Sequence, residues 1–70
     1  MRFEDALKAM REGKKVATHN RFYDRYFVDA LYIDDDDLLM WRCVDDEDYQ
    51  VEENGLTGDE IMSDDWEVVE

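Results

Sequence analysis

A chain of 70 residues with 44% apolar and 13% aromatic content has room for one small folded domain, residues 1–70, and is too apolar for a disordered acidic tail. A single cysteine, Cys43, excludes an intrachain disulfide framework, and no apolar run approaches the roughly 18 residues of a membrane span. The net charge of −13 argues against direct binding to nucleic acid or to an anionic membrane, and so small a chain is expected to act by binding rather than by catalysis.

The charge is unevenly spread. Residues 1–28 hold seven basic side chains against four acidic ones, a balance of +3. Residues 29–70 hold Arg42 alone against 17 acids, a balance of −16.

Phe3, Ala6, Leu7 and Met10 recur at the spacing of one helix face, which predicts a helix over 3–12. Glu4 and Asp5 in its first turn and Lys8 and Arg11 in its last suit the helix dipole, and Gly13 marks its end. Met1 leads directly into this helix with no signal-peptide pattern, so the chain is expected to be complete and cytosolic. Residues 14–18 read as a short strand and 18–24 as a polar loop. Residues 25–33 are rich in aromatic and β-branched types and read as a strand.

Residues 34–37 form an acidic turn. Residues 38–44 are the most apolar run and are expected to be the central strand, with Leu39, Trp41 and Cys43 on one face and Leu38, Met40, Arg42 and Val44 on the other. Residues 45–48 form a second acidic turn, 49–52 a short strand, and Asn54-Gly55 a turn. Thr57 and Glu60 match a capping box that starts one helical turn through Ile61 and Met62. Residues 66–69 read as a final strand with Trp66 and Val68 on one face. The expected architecture is α+β: an N-terminal helix packed on a small, mainly antiparallel meandering sheet, with one short C-terminal helical turn.

Chemistry-bearing motifs are few. His19 reads as an exposed loop residue and Cys43 as a small buried hydrophobe. The acidic runs lack the glycine and closing glutamate of an EF-hand loop, and there is no zinc-ligand spacing or phosphate-cradling glycine loop, so no metal or cofactor is expected.

The acids remain as a surface, either a solvated face that keeps a small protein in solution or a mimic of a phosphate backbone. Duplex DNA carries one charge per about 1.7 Å, so thirteen net charges correspond to roughly 22 Å of duplex. Two acidic clusters flank one seven-residue strand spanning roughly 23 Å. In a hairpin they would sit at opposite ends of the sheet. The candidate partner-binding residues are Asp34, Asp35, Asp36, Asp37, Asp45, Asp46, Glu47, Asp48, Glu52 and Glu53.

The opening from Met1 to Val16 places Phe3, Ala6, Leu7, Gly13, Lys14 and Val16 in a Phe-x-x-Ala-Leu-x5-Gly-Lys-x-Val pattern. The ending from Ile61 to Glu70 carries Asp64-Asp65-Trp66-Glu67-Val68-Val69. Together, over about 26 of the 70 residues, they resemble a family of small phage and prophage proteins that includes the Thoeris anti-defence proteins and an anti-CRISPR relative. The resemblance implies an α+β fold and a counter-defence role, in some members as an oligomeric sponge for nucleotide immune signals. Those members carry a basic residue and Trp-Asn-Gly after the first strand, where this chain has Thr18-His19-Asn20-Arg21-Phe22.

The charge distribution therefore turns the expectation toward a phage-encoded inhibitor in the host cytoplasm. It would be a monomer of anti-CRISPR or anti-restriction type that blocks the basic nucleic-acid-binding surface of a host defence complex, such as a CRISPR effector or restriction enzyme, by DNA mimicry. The alternative is a sponge for a cyclic nucleotide or cyclic ADP-ribose derivative, using a pocket formed by Lys14, Lys15, Arg21 and Arg25. A third reading is an accessory acidic protein.

Overall fold

The computed structural model describes residues 1–19, 27–52 and 55–70. Helix α1 spans Phe3–Arg11, and the strands are β1 (Val16–Ala17), β2 (Val28–Ile33), β3 (Leu39–Cys43), β4 (Tyr49–Gln50) and β5 (Glu67–Val68). A short helix, α2 (Gly58–Met62), precedes β5.

Helix α1 forms where the apolar periodicity places it. Ala6, Ala9 and Met10 are buried along one stripe, with Phe3 and Leu7 half-buried beside them. Its end is a Schellman motif: Gly13 N–H donates to the Met10 carbonyl at 3.0 Å and Lys14 N–H to the Ala9 carbonyl at 3.1 Å. That motif needs a left-handed residue, and Gly13 supplies it with φ 88°. At the other end, the Met1 ammonium donates to the Trp66 carbonyl at 2.8 Å and Trp66 N–H returns to the Met1 carbonyl at 3.0 Å. The two ends of the chain are thus joined.

All strand pairs are antiparallel, in the order β4-β3-β2-β1-β5. Strands β1 to β4 form the expected meander. The chain then crosses through α2 to place β5 on the far side of β1. The central strand is β2, third of five in the sheet order, while the 38–44 run supplies β3, an interior strand next to it; apolarity alone does not rank interior strands. The strands are also shorter than expected. Leu38 and Val44 lie outside the β3 ladder, although Val44 N–H still donates to the Phe27 carbonyl at 2.9 Å. Of the 18–24 loop and the 25–33 strand, residues 20–26 lie outside the described residues, as do Glu53 and Asn54.

Helix α1 covers β1, β2 and β5. The core between helix and sheet contains Val16, Leu31, Trp41 and Trp66, each at most 2% exposed, with Leu39, Ile33 and Cys43 packed against it. Leu39, Trp41 and Cys43 share the core face, as alternation requires. Phe3 meets Trp66 with ring centroids 5.1 Å apart. Val68 pairs with the buried Val16 across the β1–β5 ladder, on the face that alternation shares with Trp66. At the sheet edge Val68 remains 46% exposed, and Val69 is partly buried against the core.

Helix α2 begins with the full capping box: Glu60 N–H donates to Thr57 Oγ1 at 3.2 Å and Thr57 N–H to Glu60 Oε1 at 2.9 Å. The Trp66 indole N–H donates to the Glu60 carbonyl at 2.8 Å, which ties this helix to the core.

Candidate functional site: two acidic loops and a cross-sheet ion network

The 34–37 loop joins β2 to β3, and the 45–48 loop joins β3 to β4, so the two acidic clusters lie at opposite ends of β3. Five strand residues span roughly 17 Å. The molecule measures 28 × 26 × 23 Å, close to the roughly 22 Å of duplex that matches its net charge.

Within each loop the acids divide into two kinds. Asp34 is scaffold. Its Oδ1 accepts the N–H groups of Asp36 and Leu38, each at 2.9 Å, an Asx-type turn that closes the loop. Asp37 takes the left-handed conformation, φ 65°, which aspartate tolerates better than bulkier residues. Asp35, Asp36 and Asp37 are exposed, and among the described residues no side-chain hydrogen bond or ion pair holds their carboxylates.

Asp48 is the scaffold of the second loop. Its Oδ1 accepts Cys43 N–H at 2.9 Å and its Oδ2 accepts the Tyr32 hydroxyl at 2.6 Å. The Tyr32 bond holds the Asp48 carboxyl below its ordinary range against the opposing effect of burial, helped by Cys43 N–H and by the charges of Arg42 and Lys15. Tyr32 moves the other way. Burial, the bond to Asp48 and the surrounding negative charge push its phenol up to about 12. Asp46 accepts Glu47 N–H at 2.8 Å, and Asp45, Glu47 and Glu52 are exposed. Glu53 lies outside the described residues.

The structure adds a network that sequence reasoning did not anticipate. Arg42, on the sheet face turned away from the core, donates Nε to Asp29 Oδ1 at 2.8 Å and Nη2 to Asp29 Oδ2 at 3.0 Å. A third donor, Nη1, pairs with Glu70 Oε2. A β-bulge between Val28 and Ala30 creates this geometry, because it inserts Asp29 into β2 opposite β3. Lys15 Nζ lies 3.9 Å from Glu70 Oε1 and 5.3 Å from the centre of the Tyr32 ring. Contacts from Lys15 through Tyr32 to Asp48, and through Glu70 to Arg42 and Asp29, thus cross the sheet from the β1 side to the β3–β4 loop. The pairing with Asp29 raises the Arg42 pKa above its usual value. A usable signal was present: Arg42 is the lone cation of residues 29–70, placed opposite Leu39, Trp41 and Cys43 in the alternation.

This network bears on the alternative nucleotide pocket. Lys15 is committed to Glu70 and Tyr32, Lys14 is exposed, and Arg21 and Arg25 lie outside the described residues. His19 is exposed. Cys43 is half-buried rather than fully buried, and burial together with Asp48, Asp46 and Asp29 raises its thiol pKa, which favours the protonated thiol. Among the described residues no group of three or more potential ligands is placed to hold a metal ion, and no helix is long and apolar enough to cross a membrane.

Comparison with protein-family models, with curated proteins and with solved structures finds no match to this chain.

Proposed function

We propose that this chain is a phage-encoded inhibitor of a bacterial defence system, of anti-CRISPR or anti-restriction type. In this reading it acts by binding, occupying the basic nucleic-acid groove of its target by acidic DNA mimicry in the host cytoplasm. One observation carries the proposal. Asp35, Asp36, Asp37, Asp45 and Glu47 are exposed on loops at the two ends of one strand, while the cations Arg42 and Lys15 are taken up by Asp29 and Glu70. The charge density matches that of a short duplex, and the resemblance of the chain ends to phage counter-defence proteins points the same way. A basic groove meeting this surface gains a fast, salt-sensitive on-rate without any need for sequence readout.

The test separates display from scaffold. Asp35, Asp36 and Asp37, or Asp45 and Glu47, are changed to lysine, with Asp34 and Asp48 left in place. Each variant is assayed for inhibition of DNA binding by a panel of CRISPR effectors and restriction enzymes. The proposal requires that wild type inhibits a member of the panel and that reversal abolishes inhibition while the fold persists. Full inhibition by both variants would reject it.

A further inference from the structure

We propose that the groove between the start of α1 and the end of α2 anchors a basic amphipathic segment of a partner protein. It is an open groove of about 530 Å³ with Phe3, Leu7, Ile61 and Met62 as its apolar lining. Met62 is 86% exposed and Ile61 44% exposed. Helix α2 buries none of its residues, so these apolar side chains contribute little to the core of this chain. Nor do they hold the helix in place, because the Thr57–Glu60 capping box and the Trp66 indole bond to the Glu60 carbonyl do that. The result is a fixed polar frame that presents apolar side chains outward. Such a patch with a polar rim marks an interaction surface, and an unbranched, polarisable methionine adapts to varied partners.

Charge selects the occupant. Glu4 and Asp64 line the groove with Arg2, a local balance of −1 on a chain of net −13. A second copy of the chain would bring another net −13 against this surface, and a nucleic acid or anionic lipid would be repelled in the same way. A segment that alternates apolar side chains with lysine or arginine satisfies both the apolar lining and the acids beside it. The inference rests on the same reading of a basic partner and gives it an apolar anchor. The acidic loops would speed encounter, and the groove would slow release.

The experiment titrates the full chain, labelled for methyl and amide NMR, with two 14-residue synthetic peptides of equal charge, one of leucine and lysine and one of serine and lysine. The leucine peptide is expected to shift the methyl signals of Leu7, Ile61 and Met62 and to bind at least about tenfold tighter than the serine peptide, the value of one well-buried apolar side chain. The serine peptide is expected to shift only the loop residues. Met62→Glu removes the apolar anchor and adds an attracting charge at an exposed site. The groove model requires roughly tenfold weaker binding of the leucine peptide, whereas binding by charge alone would tighten it. The inference is overturned by equal affinities, by unmoved methyl signals, by tighter binding to Met62→Glu, or by concentration-dependent shifts of these methyls without peptide. Those outcomes leave the reading of the acidic loops standing. Failure of the serine peptide to shift the loops would instead count against that reading.

Discussion

The division of the loop acids into scaffold and display yields opposite effects on stability from chemically similar substitutions. Replacing Asp48 with Ala removes the acceptor of the Tyr32 hydroxyl and of Cys43 N–H. Two hydrogen bonds to a charged acceptor at a partly exposed site are together worth about 1–2 kcal/mol. For a domain of 60–100 residues each kcal/mol moves Tm by roughly 4–8 °C, so the variant should melt about 5–15 °C below wild type.

The triple change of Asp35, Asp36 and Asp37 to Asn removes three charges that make no bond among the described residues. Neighbouring carboxylates about 7 Å apart repel by about 0.6 kcal/mol in water, and physiological salt reduces this by roughly half. Relief of that repulsion should leave Tm unchanged or raise it by a few degrees, and Asn tolerates the left-handed conformation found at Asp37. Thermal unfolding followed by circular dichroism at low and physiological salt measures both variants. If the triple variant loses as much stability as Asp48→Ala, the displayed acids are structural and the division is wrong.

The Arg42→Gln variant breaks the bidentate pair with Asp29 and the contact with Glu70, leaving Asp29 without this cation and Glu70 with Lys15. With the Asp29 side chain 42% exposed, the loss should be about 1–2 kcal/mol in urea unfolding, well short of the cost at a fully buried pair. A change below about 0.5 kcal/mol would show that the network is ornamental. Tyr32 has a folded-state pKa raised from 10.0 to about 12, so its contribution is fully present below pH 10 and is lost as pH rises toward 12. Tyr32→Phe should therefore lower stability at neutral pH and flatten the decline between pH 10 and 12, and an unchanged alkaline limb would contradict the assignment. A thermal-shift screen against cyclic nucleotides and cyclic ADP-ribose derivatives should give no shift. A ligand at 100-fold its Kd would add about 2.7 kcal/mol of stability, and such a shift would favour the sponge alternative.

Much of the fold could be read from local patterns. The spacing of Phe3, Ala6, Leu7 and Met10 located α1, Gly13 marked its Schellman end, and Thr57 with Glu60 marked the start of α2. Alternation placed Leu39, Trp41 and Cys43 on the core face of β3. What escaped depends on contacts distant in sequence. The place of β2 at the centre follows from β5 pairing on the far side of β1, which no single segment encodes. The Arg42 network needs a bulge at Asp29 and a chain end carried to the opposite edge of the sheet. The scaffold role of Asp34 had a local cue, since aspartate at the head of a turn commonly binds backbone two residues on. Asp48 bonds locally to Cys43 N–H five residues back, but its other partner, Tyr32, lies 16 residues away and had no local cue.

The most direct measurement is displacement of a labelled DNA duplex from a purified defence nuclease or CRISPR effector that the wild-type chain inhibits, across about 50 to 200 mM salt. DNA mimicry requires competitive displacement that weakens steeply with added salt and disappears when Asp35, Asp36, Asp37, Asp45 and Glu47 are neutralised. Inhibition that leaves DNA bound, or that is indifferent to both salt and those five substitutions, would contradict it.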